Sequence, residues 1–184
     1  MNIKLLPIDN VHIDLLQTWQ NDINIKYPIM GFRFPIQKKS IESWLAEIRK
    51  DNGKSKIIYG IFNDEAALGM IALQNIDYIN SNANFGIYLG KRKEENKGIG
   101  LKATNLLLDF AFNGMGLHRI GLEVLSTNKN AIYLYKKIGF NYEGLKKESY
   151  FLNGEFLDIQ IMSIFKKNID FDKKNLKNRL VLNL

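Results

Sequence analysis

The chain has 184 residues, 46% hydrophobic and 24% charged, the balance of an ordinary soluble globular protein and enough length for one packed domain. It contains no cysteine and two histidines, which excludes disulfides, thiolate metal sites and a cysteine nucleophile, and argues against a histidine metal centre. The net charge of +7 does not mark a nucleic-acid groove, because the stretch from Lys166 to the end supplies +4 and the body only +3.

The chain opens "MNIKLLPIDN", with no basic flank before an apolar segment, and no apolar run reaches the roughly 20 residues that span a bilayer. A cytoplasmic protein with neither membrane nor nucleic-acid partner is expected. "IKLLPI" predicts a short strand. "VHIDLLQTWQ" predicts a helix with Val11, Leu15 and Trp19 on one face. "SIESWLAEIRK" predicts a second helix, with Ser40 as N-cap and Ser43 in place of the capping-box Glu. The connection between them, "NDINIKYPIMGFRFPIQKK", has two prolines and many aromatics, so it is a loop with a binding or packing role.

"KIIYGIF", "AALGMIALQNI" and "ANFGIYLG" predict an antiparallel meander. From Gly98 to Phe112 an amphipathic helix is expected, with Ile99, Ala103, Leu106, Leu107 and Phe110 on one face. "HRIGLEVLS" predicts the next strand, and "NKNAIYLYKKI" a short helix closed by Gly139. "FNYEGLKKESYF" and "FLDIQIMSIF" flank an Asn153-Gly154 hairpin turn. The elements describe one mixed α/β domain with a mostly antiparallel sheet, over residues 1–165, followed by a basic extension, 166–184.

Three features carry chemistry. "EENKGIG" at 94–100 has the glycine spacing of a phosphate-holding turn, although two glutamates precede it. Backbone amides at a helix start bind phosphate without side chains, Gly98 and Gly100 permit close approach, and the acids can turn outward. A plain tight turn into a helix is the alternative. Glu123 interrupts an apolar strand, so its carboxylate must face a cavity or water. Tyr133 and Tyr135, two apart on a helix, cannot face the same way.

"GLHRI" at 116–120 with "LEVLSTNKNAIYLYKKIGF" at 122–140, followed by "F-x-N-G-x-x-x-D", resembles the GNAT acetyltransferases, nearest to their ribosomal-protein N-terminal and spermidine acetyltransferase branch. The likeness runs roughly from Leu5 to Phe165. It implies an α+β fold: a central twisted sheet of about seven strands, split by a wedge and flanked by about four helices. It implies acetyl-CoA as cosubstrate, no metal, and direct attack by a primary amine in a ternary complex. The CoA pyrophosphate would rest on Asn96, Lys97, Gly98, Ile99 and Gly100. Glu95 stands where the family has Arg or Gln, so here the carboxylate must point away from the phosphates. The backbone N–H of Ile87 or of a neighbour, at a bulge in "NFGIYLG", would contact the thioester carbonyl. Asn128 would contact the pantetheine arm or cap the following helix.

By the same resemblance Tyr135 protonates the departing thiolate and Glu123 takes the amine proton; their alternatives are a packed aromatic and an edge-exposed acid. His118 and Asp158 are expected to be structural. The acceptor pocket would be built from the 22–36 loop and the hairpin near Tyr150, with Tyr27, Arg33 and Tyr150 as substrate-binding residues. That loop offers Asp22 but also Lys26 and Arg33. An amino-sugar nucleotide or a protein N-terminus is therefore ranked above a polyamine. A homodimer is compatible with this picture. The rival classes are a CoA-binding module without turnover, which Tyr135 argues against, and a basic RNA-associated protein.

Overall fold

The computed structural model describes residues 2–31, 33–90 and 98–169. Phe32, Glu95, Asn96, Lys97 and residues 170–184, most of the expected extension, lie outside the described residues. Seven strands form one sheet: β1 Ile3–Leu6, β2 Ile57–Asn63, β3 Ala66–Asp77, β4 Asn82–Leu89, β5 Arg119–Leu125, β6 Asn141–Leu152 and β7 Glu155–Phe165. Their order is β1-β2-β3-β4-β5-β7-β6, antiparallel except between β4 and β5. The helices are α1 Ile13–Asn21, α2 Ile23–Lys26, α3 Lys38–Asp51, α4 Ile99–Asp109 and α5 Lys129–Ile138. This is the expected α+β architecture, with α2 the added helix. Asp22 starts α2, its carboxylate accepting from Asn24 N at 2.8 Å.

Strand alternation sorts the core into two layers. Phe85, Ile87 and Leu89 of β4 pack with α4 and α5, where Ile99, Ala103, Leu107, Ile132 and Tyr135 meet Leu122 and Val124 of β5. Tyr88, Met70 and Ile58 face the other way, onto Leu16 and Trp19 of α1 and Ile41 and Leu45 of α3. Fully burying such side chains contributes about 1.5–3 kcal/mol each, so both helix pairs are held mainly by these apolar faces.

Four local expectations are corrected. The buried face of α1 is Ile13, Leu16 and Trp19, while Val11 is 85% exposed. Val11 belongs to a tighter 3-10 turn capped by Asp9, whose pitch turns it outward. Helix α3 starts three residues early: its N-cap is the extended Gln37, and Ser43 Oγ donates to Lys39 O at 3.0 Å, back-bonding within the helix. On α4, Leu106 is only partly buried and Thr104 and Leu108 are buried instead. A π-helical turn, Phe110–Gly114, then shifts the register so that Ala111 and Phe112 fill the core. Finally, β4 pairs with β3 without a break from Gly69↔Leu89 to Gln74↔Asn84. The bulge lies on β3, between Gln74 and Asp77, where Asn75 adopts φ 50.

The Asn153-Gly154 turn is as expected, with φ of 52 and 89, the left-handed pair of a two-residue hairpin. Gly139 closes α5 at φ 113, its N–H reaching Tyr135 O and Lys136 O.

Candidate active site

The parallel pairing of β4 with β5 covers only Asn82↔Arg119, Ala83↔Ile120 and Asn84↔Gly121. Beyond it β4 stays on β3 and β5 stays on β7, so the two strands part into a wedge. Peptide groups of β4 that turn toward the wedge lose a strand partner and can meet a ligand. The wedge opens into a cleft of about 1310 Å³. Its helical side is lined by Ile87, Val124, Ile99, Gly100, Ala131 and Tyr135, and its opposite side by Gln74, Asn84, Tyr88, Glu123, Asp22 and Asn24. One side is mainly apolar and the other polar, as β4 alternation dictates.

Gly98 heads α4 at φ 74, ψ 9 and borders the cleft. Among the described residues a Cβ there would meet nothing within 4 Å, and the positive φ is the conformation that glycine adopts most readily. The first amides of α4 have no acceptor within the helix and lie at the cleft. Gly100 serves packing as well: its Cβ would stand 3.1 Å from Leu134 Cδ2 on α5.

Tyr135 sits on the helical side, 7% exposed, with Phe85 at 6.0 Å and 87° and Phe140 at 5.7 Å and 59°. Burial pushes its phenol up to about 12, so at neutral pH it is a protonated donor facing the cleft. Tyr133 also borders the cleft, from the exposed rim of α5, so the two tyrosines do face differently yet share one cavity. Asn128 caps α5 through Oδ1, accepting from Ala131 N at 3.2 Å, while its Nδ2 donates to Pro28 O at 3.4 Å. Glu123 projects into the polar side, half-exposed, and its Oε1 accepts from Lys146 Nζ at 2.5 Å.

The expected residues Ile87, Gly98, Ile99, Gly100, Asn128, Glu123 and Tyr135 are thus brought to one cavity. Tyr27, Arg33 and Tyr150 do not border it. Arg33 is stacked on Tyr150, 4.7 Å from ring centroid to guanidinium carbon, and Tyr150 is buried with Leu125 and Ile159. His118 packs on Phe165, and Asp158 accepts from Glu148 N at 2.8 Å. The site gains Gln74, Asn84 and Tyr88, and on α5 Asn130, Tyr133 and Lys137. The α5 residues lie at i, i+3 and i+7, a helical stripe visible in the sequence. Gln74 and Asn84 were signalled only as polar residues inside apolar strands.

The family model of the acetyltransferase (GNAT) domain matches residues 2–141. The chain belongs to the GNAT family and is an N-acetyltransferase of the kind that uses acetyl-CoA. Among its relatives, the spermidine N(1)-acetyltransferase of Escherichia coli (strain K12) is 30% identical over 164 residues, 89% of this chain and 86% of that one. A spermidine N(1)-acetyltransferase of Vibrio cholerae is 35% identical over 97 residues, where the match spans 56% of the relative's length. A solved spermidine N-acetyltransferase from Vibrio cholerae, in complex with CoA and spermine, has the same fold: TM-score 0.83, 24% identity, 90% of this chain and 96% of that one covered.

Among the described residues no helix is long and apolar enough to cross a membrane, and no group of three His, Asp or Glu is placed to hold a metal.

Proposed function

We propose that this cleft acetylates a primary amine of a polyamine. One observation carries the choice of acceptor: among the described residues the cleft is bordered by two carboxylates, Asp22 and Glu123, and one cation, Lys137 on α5, whereas Lys26 and Arg33 do not border it. Those two cations favoured an anionic acceptor on sequence grounds. The fold engages them elsewhere, Arg33 on Tyr150 and the Lys26 ammonium on Arg33 O at 3.2 Å. The polyamine-acetylating relatives support the same ranking. Asp22 Oδ1 caps α2 and Glu123 Oε1 accepts from Lys146, so the attraction rests on the remaining carboxylate oxygens and on the amide side chains of Asn24, Gln74 and Asn84.

In this reading acetyl-CoA lies on the helical side, its phosphates near the start of α4 at Gly98. The neutral amine attacks the thioester carbon from the polar side, and the carbon–sulfur bond breaks as the amide forms. Glu123 takes the proton the nitrogen sheds, directly or through water, while Tyr135 hydrogen-bonds and protonates the thiolate. An isolated phenol near 12 is a weaker acid than a thiol near 8.5, so transfer to a solvated thiolate would be uphill. The same apolar wall desolvates the sulfur and raises its basicity, which brings the two closer.

The test is free-thiol release from acetyl-CoA with polyamines, amino-sugar nucleotides and peptides bearing free N-termini. Spermidine-type amines are expected to be the best acceptors, with turnover lowered about 10²-fold in Glu123→Gln. Preference for the anionic amines would overturn the acceptor and leave the reaction standing.

A further inference from the structure

The turn at residues 27–31 walls the cleft through Pro28, Ile29 and Met30. It is folded tightly on itself. Met30 N donates to Tyr27 O at 3.0 Å, Gly31 N to Lys26 O at 2.7 Å, and Lys26 Nζ to Arg33 O at 3.2 Å. Met30 sits at φ 54, a left-handed conformation that a residue with a side chain keeps only when its surroundings hold it.

Its attachments to the scaffold are specific. Asn128, the cap of α5, reaches Pro28 O. Met30 packs against Tyr150, Leu125 and Ile159. Arg33 lies over the Tyr150 ring. Tyr150 itself is buried, and its hydroxyl has no hydrogen-bond partner among the described residues. A buried hydroxyl left without a partner costs stability, and the contacts to Arg33 and Met30 are made by the ring.

We propose that Tyr150 and Arg33 are positioning residues for acceptor specificity. Ring and guanidinium clamp the Pro28–Met30 wall at the setting that admits the amine. Arg33 acts on the acceptor through this wall, without touching it. The proposal rests on reading the Asp22–Glu123 end of the cleft as the acceptor site.

Arg33→Ala and Tyr150→Leu are each expected to raise the acceptor KM roughly tenfold, the scale of a lost cation–π contact. The KM of acetyl-CoA and the thermal shift it causes should stay within about twofold of wild type, because Gly98 and α4 are untouched. The double variant should be no worse than either single one, since both break one clamp. Tyr150→Phe keeps the ring and should behave as wild type. A Phe variant as impaired as Leu, additive single effects, or parallel movement of both KM values would overturn the proposal. A readout independent of turnover is trypsin cleavage after Lys26. It should speed up several-fold in Tyr150→Leu, as the wall loosens, and not in Tyr150→Phe. Unchanged cleavage would overturn the clamp whatever the acceptor; a clamp that passes while no amine is acetylated would overturn the functional reading instead.

Discussion

Tyr135 combines two properties that pull against each other. It is placed to donate a proton, and its burial makes it reluctant to give one up. If it serves the departing thiolate, Tyr135→Phe should lower turnover about 10²-fold, with acetyl-CoA affinity nearly unchanged. Steady-state kinetics decide this, and equal turnover would leave Tyr135 a packing residue against Phe85 and Phe140. Its titration also predicts an alkaline weakness. The folded state keeps the phenolic proton to about 12, whereas an unfolded tyrosine loses it near 10. Between those values the native state binds more protons than the unfolded chain, so stability falls as pH rises; below the lower value the contribution is complete. Burial raises Tyr59 and Tyr88 in the same direction. Thermal melts should therefore decline steeply above about pH 10, and less steeply in Tyr135→Phe.

At the level of elements, the start of α4 sets the helical side of the site. Gly98 holds φ 74, so a larger residue is opposed by backbone conformation. Gly98→Val should cost about 1–2 kcal/mol of stability, the usual penalty for a left-handed residue with a side chain. It should also abolish the thermal shift caused by acetyl-CoA, because the first amides of α4 would turn away from the cleft. In the wild type, acetyl-CoA at a hundred times its Kd should add about 2.7 kcal/mol. A Gly98→Val protein that still gains this stabilisation would show that the phosphates lie elsewhere. Gly100 constrains the same helix from the other side, where an added Cβ would press on Leu134 Cδ2 and oppose the observed approach of α4 to α5.

For the whole molecule, the edge of the sheet is the feature that bears on assembly. Strand β6 is the last in the order, and Tyr142, Leu145, Phe151 and the neighbouring Phe156 are exposed on β6 and β7. Phe151 and Phe156 already pair at 5.0 Å. A long edge strand with apolar side chains favours association with another chain. Self-association to a dimer or larger is expected, and light scattering coupled to size exclusion measures it; Phe151→Lys with Phe156→Glu should shift the population toward monomer. A monomer at high concentration would contradict this.

Much of the fold and of the helical side of the cleft was written in local patterns. Period-2 and period-3.6 runs, the Asn153-Gly154 turn, Gly139 after α5 and Asn128 before it depend on residues a few positions apart, which is why they could be read from the chain. So could Gly98, Glu123 and Tyr135, whose spacing within short motifs carries the family resemblance. The errors fell where local patterns compete: Val11 in a tight turn, Gln37 displacing Ser40, and a bulge that belongs to β3 because register is a property of two strands. The acceptor side could not be read in this way. Whether Arg33 meets a substrate or Tyr150 depends on a contact across more than a hundred residues of chain, and whether Asp22 and Glu123 share a cavity depends on how β4 and β5 part. Charge in a loop states which groups are available; only the packed structure decides which of them face the same water.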